Sequence, residues 1–183
     1  KLREDSKAKG RWETNHGGEY FAAGVGGSIT GRGADLLIID DPHTEQDSMS
    51  DSAMDRAYEW YNSGPRQRLQ PGGRICVVMT RWATDDLTGR LIKSQSEPKA
   101  DTWRVVNFPA ILDNGDPVWP EYWPIEELEK VKASVTTKNW NAQYMQDPTS
   151  EEGAIIKREW WQPWNEERIP VLKHVIQSYD TAF

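Results

Sequence analysis

Residues 34–42 read ADLLIIDDP, and this stretch decides the fold. Four consecutive apolar residues precede two carboxylates, Asp40 and Asp41, and a proline then turns the chain away. An almost unbroken apolar run of this length is typical of a strand that is buried on both faces of a parallel sheet. We therefore expect a buried parallel strand with Asp40 and Asp41 at its carboxyl end.

The segments around this stretch alternate between strand and helix patterns. Further strands are predicted over residues 19–25, 74–80 and 103–108. Helical spacing of apolar residues predicts helices over residues 50–63, 85–94, 124–134 and 137–146. The predicted elements are interrupted by a glycine-rich connection over residues 26–33 and by the breaker Pro71-Gly72-Gly73. Residues 1–18 are predicted to be a loop or a frayed edge. The alternation predicts an α/β domain with a mostly parallel sheet.

Composition limits the classes of function. The 183 residues carry a formal net charge of −7, which gives no overall attraction to DNA, so any nucleic-acid contact must be local or come from a partner. The single cysteine, Cys76, lies in the apolar run ICVVM and is predicted to be a buried hydrophobe in a reducing compartment. No apolar run approaches membrane-spanning length, and the N-terminus lacks the apolar core of a signal peptide, which predicts a cytoplasmic protein.

Two predicted strand ends carry groups that suit phosphate chemistry. An apolar strand that ends in two carboxylates has the Walker B pattern, in which one carboxylate orders Mg²⁺ and the next polarises the attacking water. The pattern alone fits a solvated turn equally well. Thr80 and Arg81 follow the next strand and could sense a terminal phosphate. His43 could adjust the acidic turn, although a loop histidine is the default interpretation. A GxxxxGK[ST] phosphate-binding loop does not occur in the sequence.

Four segments together resemble the large terminase subunit of phages. They are SITGRGADLLIIDDPHTE (28–45), VVMTRWATDDLTGRL (77–91), WNAQYMQDPTSEEGAII (140–156) and VIQSYDTAF (175–183). The resemblance spans about residues 18–183, nearly the whole chain, and the segments follow the order found in the family. It implies a RecA-like (ASCE P-loop NTPase) ATPase domain that drives DNA into a procapsid, followed by an RNase H-like nuclease that cuts the concatemer.

The resemblance also implies roles for residues of the ATPase. Asp40 matches the Walker B carboxylate that binds the metal of the nucleotide. Asp41 occupies the place where many relatives have the catalytic Glu, so the group that activates water is either Asp41 or Glu45. Thr80, followed by Arg81, matches the motif that couples hydrolysis to domain movement.

Two further residues take roles from the resemblance. Arg32 is implied as a contact to phosphate or to a neighbouring subunit. Asp180 matches the first metal carboxylate of the nuclease, which uses Mg²⁺ or Mn²⁺. The implied domains are the C-terminal part of the ATPase over residues 1–146, a linker over residues 147–170 and the start of the nuclease over residues 171–183.

The resemblance implies ATP and Mg²⁺ as cofactors, and double-stranded DNA, a portal protein and a small terminase subunit as partners. It further implies a homo-oligomeric ring that acts in the host cytoplasm, transiently at the procapsid portal, without a membrane. Since the phosphate-binding loop and the remaining nuclease carboxylates are missing, the chain is expected to be an internal fragment that by itself neither binds ATP tightly nor cuts DNA.

Two alternative functions stay open from the sequence. A DExx-type helicase core also ends its second motif with carboxylates at a strand end, but no DExH or DExD run follows the strand here. A non-catalytic interaction module would have the same strand ends as solvated turns only.

Overall fold

A computed structural model describes residues 1–27, 29 and 31–149, which belong to one compact unit, Lys1–Glu151. Within these residues the strands form two sheets: β1 (Leu2–Ala8), β2 (Arg11–Thr14) and β3 (Glu19–Phe21) in one, β4 (Ala34–Asp40) and β5 (Leu69–Val78) in the other. The α-helices of the described part are α1 (Asp51–Ser63), α2 (Leu87–Ser94), α3 (Ile125–Ser134) and α4 (Thr137–Asn139), which continues into a π-helical turn (Trp140–Tyr144). Two short 3-10 helices, Asp47–Met49 and Pro65–Arg68, lie on either side of α1.

The strands β4 and β5 form a parallel pair joined by α1. Ile39 lies opposite Val77, and Asp40 lies opposite Val78. A parallel pair needs a crossover connection because its two strands run in the same direction, and a helix is the usual one. The predicted α/β class is confirmed at this level, as is the strand predicted from the ADLLIID run.

The core lies on one face of this sheet. Ile39 of β4 packs with Tyr61 of α1 and with Leu87 and Leu91 of α2. The opposite face is open among the described residues: Ile38 is 61% exposed, and Leu36 and Val78 are also exposed. The prediction of burial on both faces is therefore wrong for β4, because α1 and α2 both cover the same side.

Cys76 shares the open face. Its neighbours along β5, Ile75 and Val77, pack against the core, and alternation along the strand turns Cys76 outward. The cysteine is exposed, so the prediction of a buried hydrophobe is wrong.

The strand β5 begins earlier than predicted. It covers Leu69–Val78 and includes the Pro71-Gly72-Gly73 segment that was expected to break the chain. The register with β4 shifts there, and Gly72 has φ 82°, a conformation that favours glycine. The segment is therefore an irregularity within a strand, which is where proline and glycine are tolerated in sheets.

The N-terminal segment is a three-stranded antiparallel sheet, so the prediction of a loop or a frayed edge over residues 1–18 is wrong. Trp12 of β2 lies opposite Tyr20 of β3, and their rings stack with centroids 4.8 Å apart. Ion pairs join the exposed side chains of neighbouring strands, such as Arg11 Nε to Glu19 Oε1 at 3.0 Å. The third strand was predicted but is shorter than expected, since it ends at Phe21.

The strand predicted over residues 103–108 is not formed with any described neighbour. Trp103 packs against the core, whereas Val105, Val106 and Phe108 are exposed. The helices agree better with prediction, since α1 to α3 lie within one or two residues of their expected ranges. The fourth agrees only in position: it is one α-helical turn followed by a π-helical turn.

No helix among the described residues is long and apolar enough to cross a membrane. The predicted nuclease segment, residues 171–183 with Asp180, lies outside the described residues, as does most of the predicted linker.

Candidate functional site

The acidic pair and the Thr80-Arg81 turn meet at one edge of the sheet. The Asp41 amide donates a hydrogen bond to the Val78 carbonyl oxygen at 2.9 Å, which extends the β4–β5 pairing by one residue. The Thr80 amide donates to the Asp41 Oδ1 atom at 3.3 Å. Since both strands end here, the two polar turns are adjacent although 39 residues separate them in sequence.

Asp41 has a left-handed backbone, with φ 41°. Few residues other than glycine adopt this conformation, and Asp and Asn are among those that do, because their short polar side chains bond locally. A glutamate carries a longer side chain and lacks this preference. The local backbone thus gives a physical reason for Asp, rather than Glu, at this position.

Asp40 presents an open carboxylate. The residue is exposed, and within the described residues its side chain makes no hydrogen bond or ion pair. In proteins Mg²⁺ is commonly held by one or two carboxylates together with substrate phosphates. Asp40 fits such a role as a single ligand. A group of three or more side chains that could hold a metal by themselves is not found in the part of the chain that the structure describes.

The Arg81 guanidinium group makes several hydrogen bonds within the protein. Its Nε atom donates to both carboxylate oxygens of Asp86, at 2.9 and 3.1 Å, and Asp86 is completely buried. The same carboxylate accepts the amides of Trp82 and Gly89 and thereby caps the N-terminus of α2. Sequence reasoning missed Asp86, although an Asp three residues before Gly89 at a helix start is a capping signal.

His43 joins the turn after β4 to α2 by a hydrogen bond. It is 5% exposed, and its Nε2 atom accepts the Leu87 amide at 2.9 Å. Burial lowers the pKa of His43 below its usual 6.5; the charges of Asp86 and Asp47 oppose this shift, and Arg90 adds to it. The default interpretation of a loop histidine is therefore wrong, since an imidazole that accepts an amide is a neutral structural acceptor here.

Arg32 and Glu45 do not contact the acidic pair through any described hydrogen bond. The Arg32 guanidinium pairs with Glu19 of β3 and lies over the Phe21 ring, 4.3 Å from its centroid. Glu45 is exposed in the turn before the 3-10 helix Asp47–Met49. Of the predicted site residues, the structure brings together Asp40, Asp41, Thr80 and Arg81.

The assembled edge combines an open carboxylate with a fixed one. Both residues are exposed, and Asp41 also accepts the Thr80 amide at one carboxylate oxygen. Such a pair can hold a hydrated cation and orient a water molecule, which are the two carboxylate tasks in phosphate hydrolysis.

No protein-family model matches the sequence, and no curated protein matches it either.

Proposed function

We propose that this chain is the ATPase part of a large terminase subunit, joined to the start of its nuclease. In this proposal the protein packages viral DNA into procapsids with the energy of ATP hydrolysis and cuts concatemeric DNA. The sequence resemblance suggests the family, and the strand-end geometry is consistent with the chemistry.

One observation carries the proposal. The parallel register sets Asp40 opposite Val78, so Asp40, Asp41 and the Thr80-Arg81 turn lie side by side at the carboxyl edge of the sheet. In open parallel α/β sheets this edge is where ligands bind. A solvated turn would not require the carboxylate of one strand end to bind the amide of the next.

The proposal gives Asp40, Asp41 and Thr80 different roles in ATP hydrolysis. Asp40 would hold the Mg²⁺ of bound ATP, which neutralises charge on the phosphates. Asp41 has its Oδ1 atom fixed by the Thr80 amide, so its Oδ2 atom is free to accept a hydrogen bond from the attacking water. Glu45 remains the alternative for this role. A movement of the Asp41 carboxylate during hydrolysis would be transmitted to the end of β5 through its hydrogen bond with the Thr80 amide.

The finer fold is part of the proposal. The β4–β5 pair would belong to a RecA-like sheet, and residues 171–183 would open an RNase H-like domain with Asp180 as its first metal ligand. Double-stranded DNA, a portal protein, a small terminase subunit and a ring of identical subunits are the proposed partners. A phosphate-binding loop of the GxxxxGK[ST] type must then lie elsewhere in the full-length protein.

The test is DNA-stimulated ATP hydrolysis by the full-length protein with Asp40→Ala. We expect kcat to fall by at least about 100-fold, the order of loss known from removing one preorganised electrostatic group from an active site. Asp35→Ala is the matched control, because Asp35 is an exposed aspartate at the other end of β4. Hydrolysis that is undiminished in Asp40→Ala and equal to that of the control would rule out the assigned role.

A second variant separates the two proposed activities. Asp180→Ala should abolish DNA cleavage in Mg²⁺ or Mn²⁺ and leave ATP hydrolysis intact. Cleavage that survives this change would remove Asp180 from the nuclease.

A further inference from the structure

Gln146 reaches back to the turn after β5. It follows the π-helical turn that ends at Tyr144, and its Oε1 atom accepts the Arg81 amide at 3.2 Å across 65 residues of sequence. Its Nε2 atom donates to the Gln143 carbonyl oxygen, which fixes the direction of the side-chain amide. Both ends of the amide are therefore committed, and the Oε1 atom is held toward Arg81.

The neighbouring amide is bound from the other strand end. The Thr80 N–H donates to Asp41, and the Arg81 N–H donates to Gln146, so two successive peptide groups are each held by a side chain. Both acceptor residues have left-handed backbones, with φ 41° at Asp41 and 56° at Gln146. Such conformations are rare outside glycine and cluster at functional sites, where the surrounding structure enforces them.

The turn is also held through its side chain. The Arg81 guanidinium binds the buried carboxylate of Asp86, which limits where the Arg81 side chain can lie. Three contacts thus act on Thr80 and Arg81: Asp41 on the first amide, Gln146 on the second and Asp86 on the side chain. A displacement of Gln146 would release the Arg81 peptide, which is directly bonded to Thr80.

We propose that Gln146 is a positioning residue of the proposed hydrolysis site, which holds the Arg81 amide so that the Thr80 amide stays on the Asp41 carboxylate. The inference rests on the proposed function. It makes the helical segment over residues 137–144 a support of the strand-end site, since that segment determines where Gln146 lies. Gln146 itself touches none of the reacting groups and acts through Thr80 and Arg81.

Two substitutions of Gln146 in the full-length protein test this role. Gln146→Gly removes the acceptor and relieves the left-handed backbone, so folding is not impaired by strain. Gln146→Asn keeps an amide that tolerates this backbone but is one methylene too short to reach Arg81. Gln143→Ala is the matched control, because it removes a nearby glutamine side chain and retains the carbonyl oxygen that Gln146 uses.

Two readouts are needed, the kinetics of ATP hydrolysis and hydrogen exchange at the Thr80 and Arg81 amides. We expect both Gln146 variants to lower kcat about tenfold, the effect of losing one hydrogen bond in the reacting state, with KM for ATP unchanged. Both amides should exchange faster than in wild type, and the control should match wild type in both readouts.

The outcomes separate this inference from the proposed function. Wild-type protection of the Arg81 amide in Gln146→Gly would overturn the contact. Exposed amides with an unchanged kcat would overturn the positioning role, provided that Asp40→Ala abolishes hydrolysis. Hydrolysis that does not depend on Asp40 would instead refute the proposed function, and the exchange data would then still decide whether Gln146 holds the turn.

Discussion

At the scale of single residues, a buried imidazole without charge controls how the turn after β4 meets α2. The His43 Nε2 atom can accept the Leu87 amide only while it carries no proton. The His43 Nδ1 atom is buried and makes no hydrogen bond within the described residues. Protonation would therefore turn the acceptor into a donor that faces an amide, and it would place a positive charge near the N-terminus of a helix, where cations are unfavourable.

His43 should make the stability of the protein depend on pH. Because the folded-state pKa of His43 lies below 6.5, the unfolded chain binds more protons at acidic pH. The contribution of His43 is thus present above its unfolded pKa and is lost as pH falls through the folded value, with a slope of at most about 1.4 kcal/mol per pH unit. His43→Gln keeps an acceptor that does not titrate. We expect its free energy of unfolding, measured by urea denaturation, to depend less on pH than that of wild type between about pH 7 and pH 5.

The matched variant is His43→Leu, which removes the acceptor. At neutral pH it should lose about 1–3 kcal/mol, the cost of leaving the buried Leu87 amide unpaired. Identical pH profiles for wild type and His43→Gln would contradict the assignment of a titrating acceptor.

At the scale of elements, α2 depends on a glycine that simple helix propensity would disfavour. A Cβ atom at Gly89 would overlap the Thr84 carbonyl oxygen and press on the Arg81 guanidinium. The turn before α2 can approach the helix this closely because Gly89 has no side chain. Its amide is also the one that Asp86 caps, at 2.8 Å.

We expect Gly89→Ala to destabilise the protein by about 1–3 kcal/mol, as overpacking does, although alanine in an open helix is more favourable than glycine by about 1 kcal/mol. Chemical denaturation followed by tryptophan fluorescence measures the difference. Gly24→Ala is the control, since a Cβ atom there meets nothing within 4 Å. A Gly89→Ala protein as stable as wild type would mean that the turn moves aside at no cost.

The elements that sequence reasoning found are those with a strong hydrophobic period. The strand β4 and the helix α1 were predicted correctly because apolar runs and helical spacing dominate there. The strands β1 and β2 were missed because their pairing depends on polar side chains, such as the Arg3 to Glu13 ion pair, which carry no hydrophobic period. Residues 103–108 have a strand pattern, but the structure shows no described neighbour for them.

The candidate site was only partly predictable for a similar reason. Parallel pairing of two apolar strands is enough to bring Asp40 and Asp41 near Thr80, and the sequence indicates both strands. The contacts of Asp86, His43 and Gln146 depend on where α2 and the segment after α4 come to lie. Those positions follow from tertiary packing, which a single sequence does not reveal.

At the scale of the whole molecule, the described core is one-sided. Ile39 is 4% exposed and lies between α1 and α2 on one side of the sheet, whereas the adjacent Ile38 is 61% exposed on the other. Ile38 and Ile39 are identical in chemistry and adjacent in sequence, so their different exposures reflect the two faces of β4. Parallel sheets are usually covered on both faces, so the open face among the described residues departs from a typical α/β domain.

We expect Ile39→Ala to cost about 2–5 kcal/mol in the free energy of unfolding of the 183-residue chain, because it opens a cavity in the core. Ile38→Ala should stay within about 0.5 kcal/mol of wild type, as surface changes do. Urea denaturation of the two variants gives the comparison. Equal costs would show that the outer face is packed in solution.

The parallel pairing of β4 with β5 also predicts an order of events during folding. The helices α1 and α2 consist of local contacts, which form within microseconds, but Asp41 meets Thr80 only after the chain between them has closed into a loop. Arg81 meets Gln146 across a longer stretch still. We expect contacts this distant in sequence to form late, because closing a long loop costs entropy before the contact forms. In a partly folded chain the acidic pair would therefore lack its contact with Thr80, and the strand-end site would be complete only when the most distant contacts have formed.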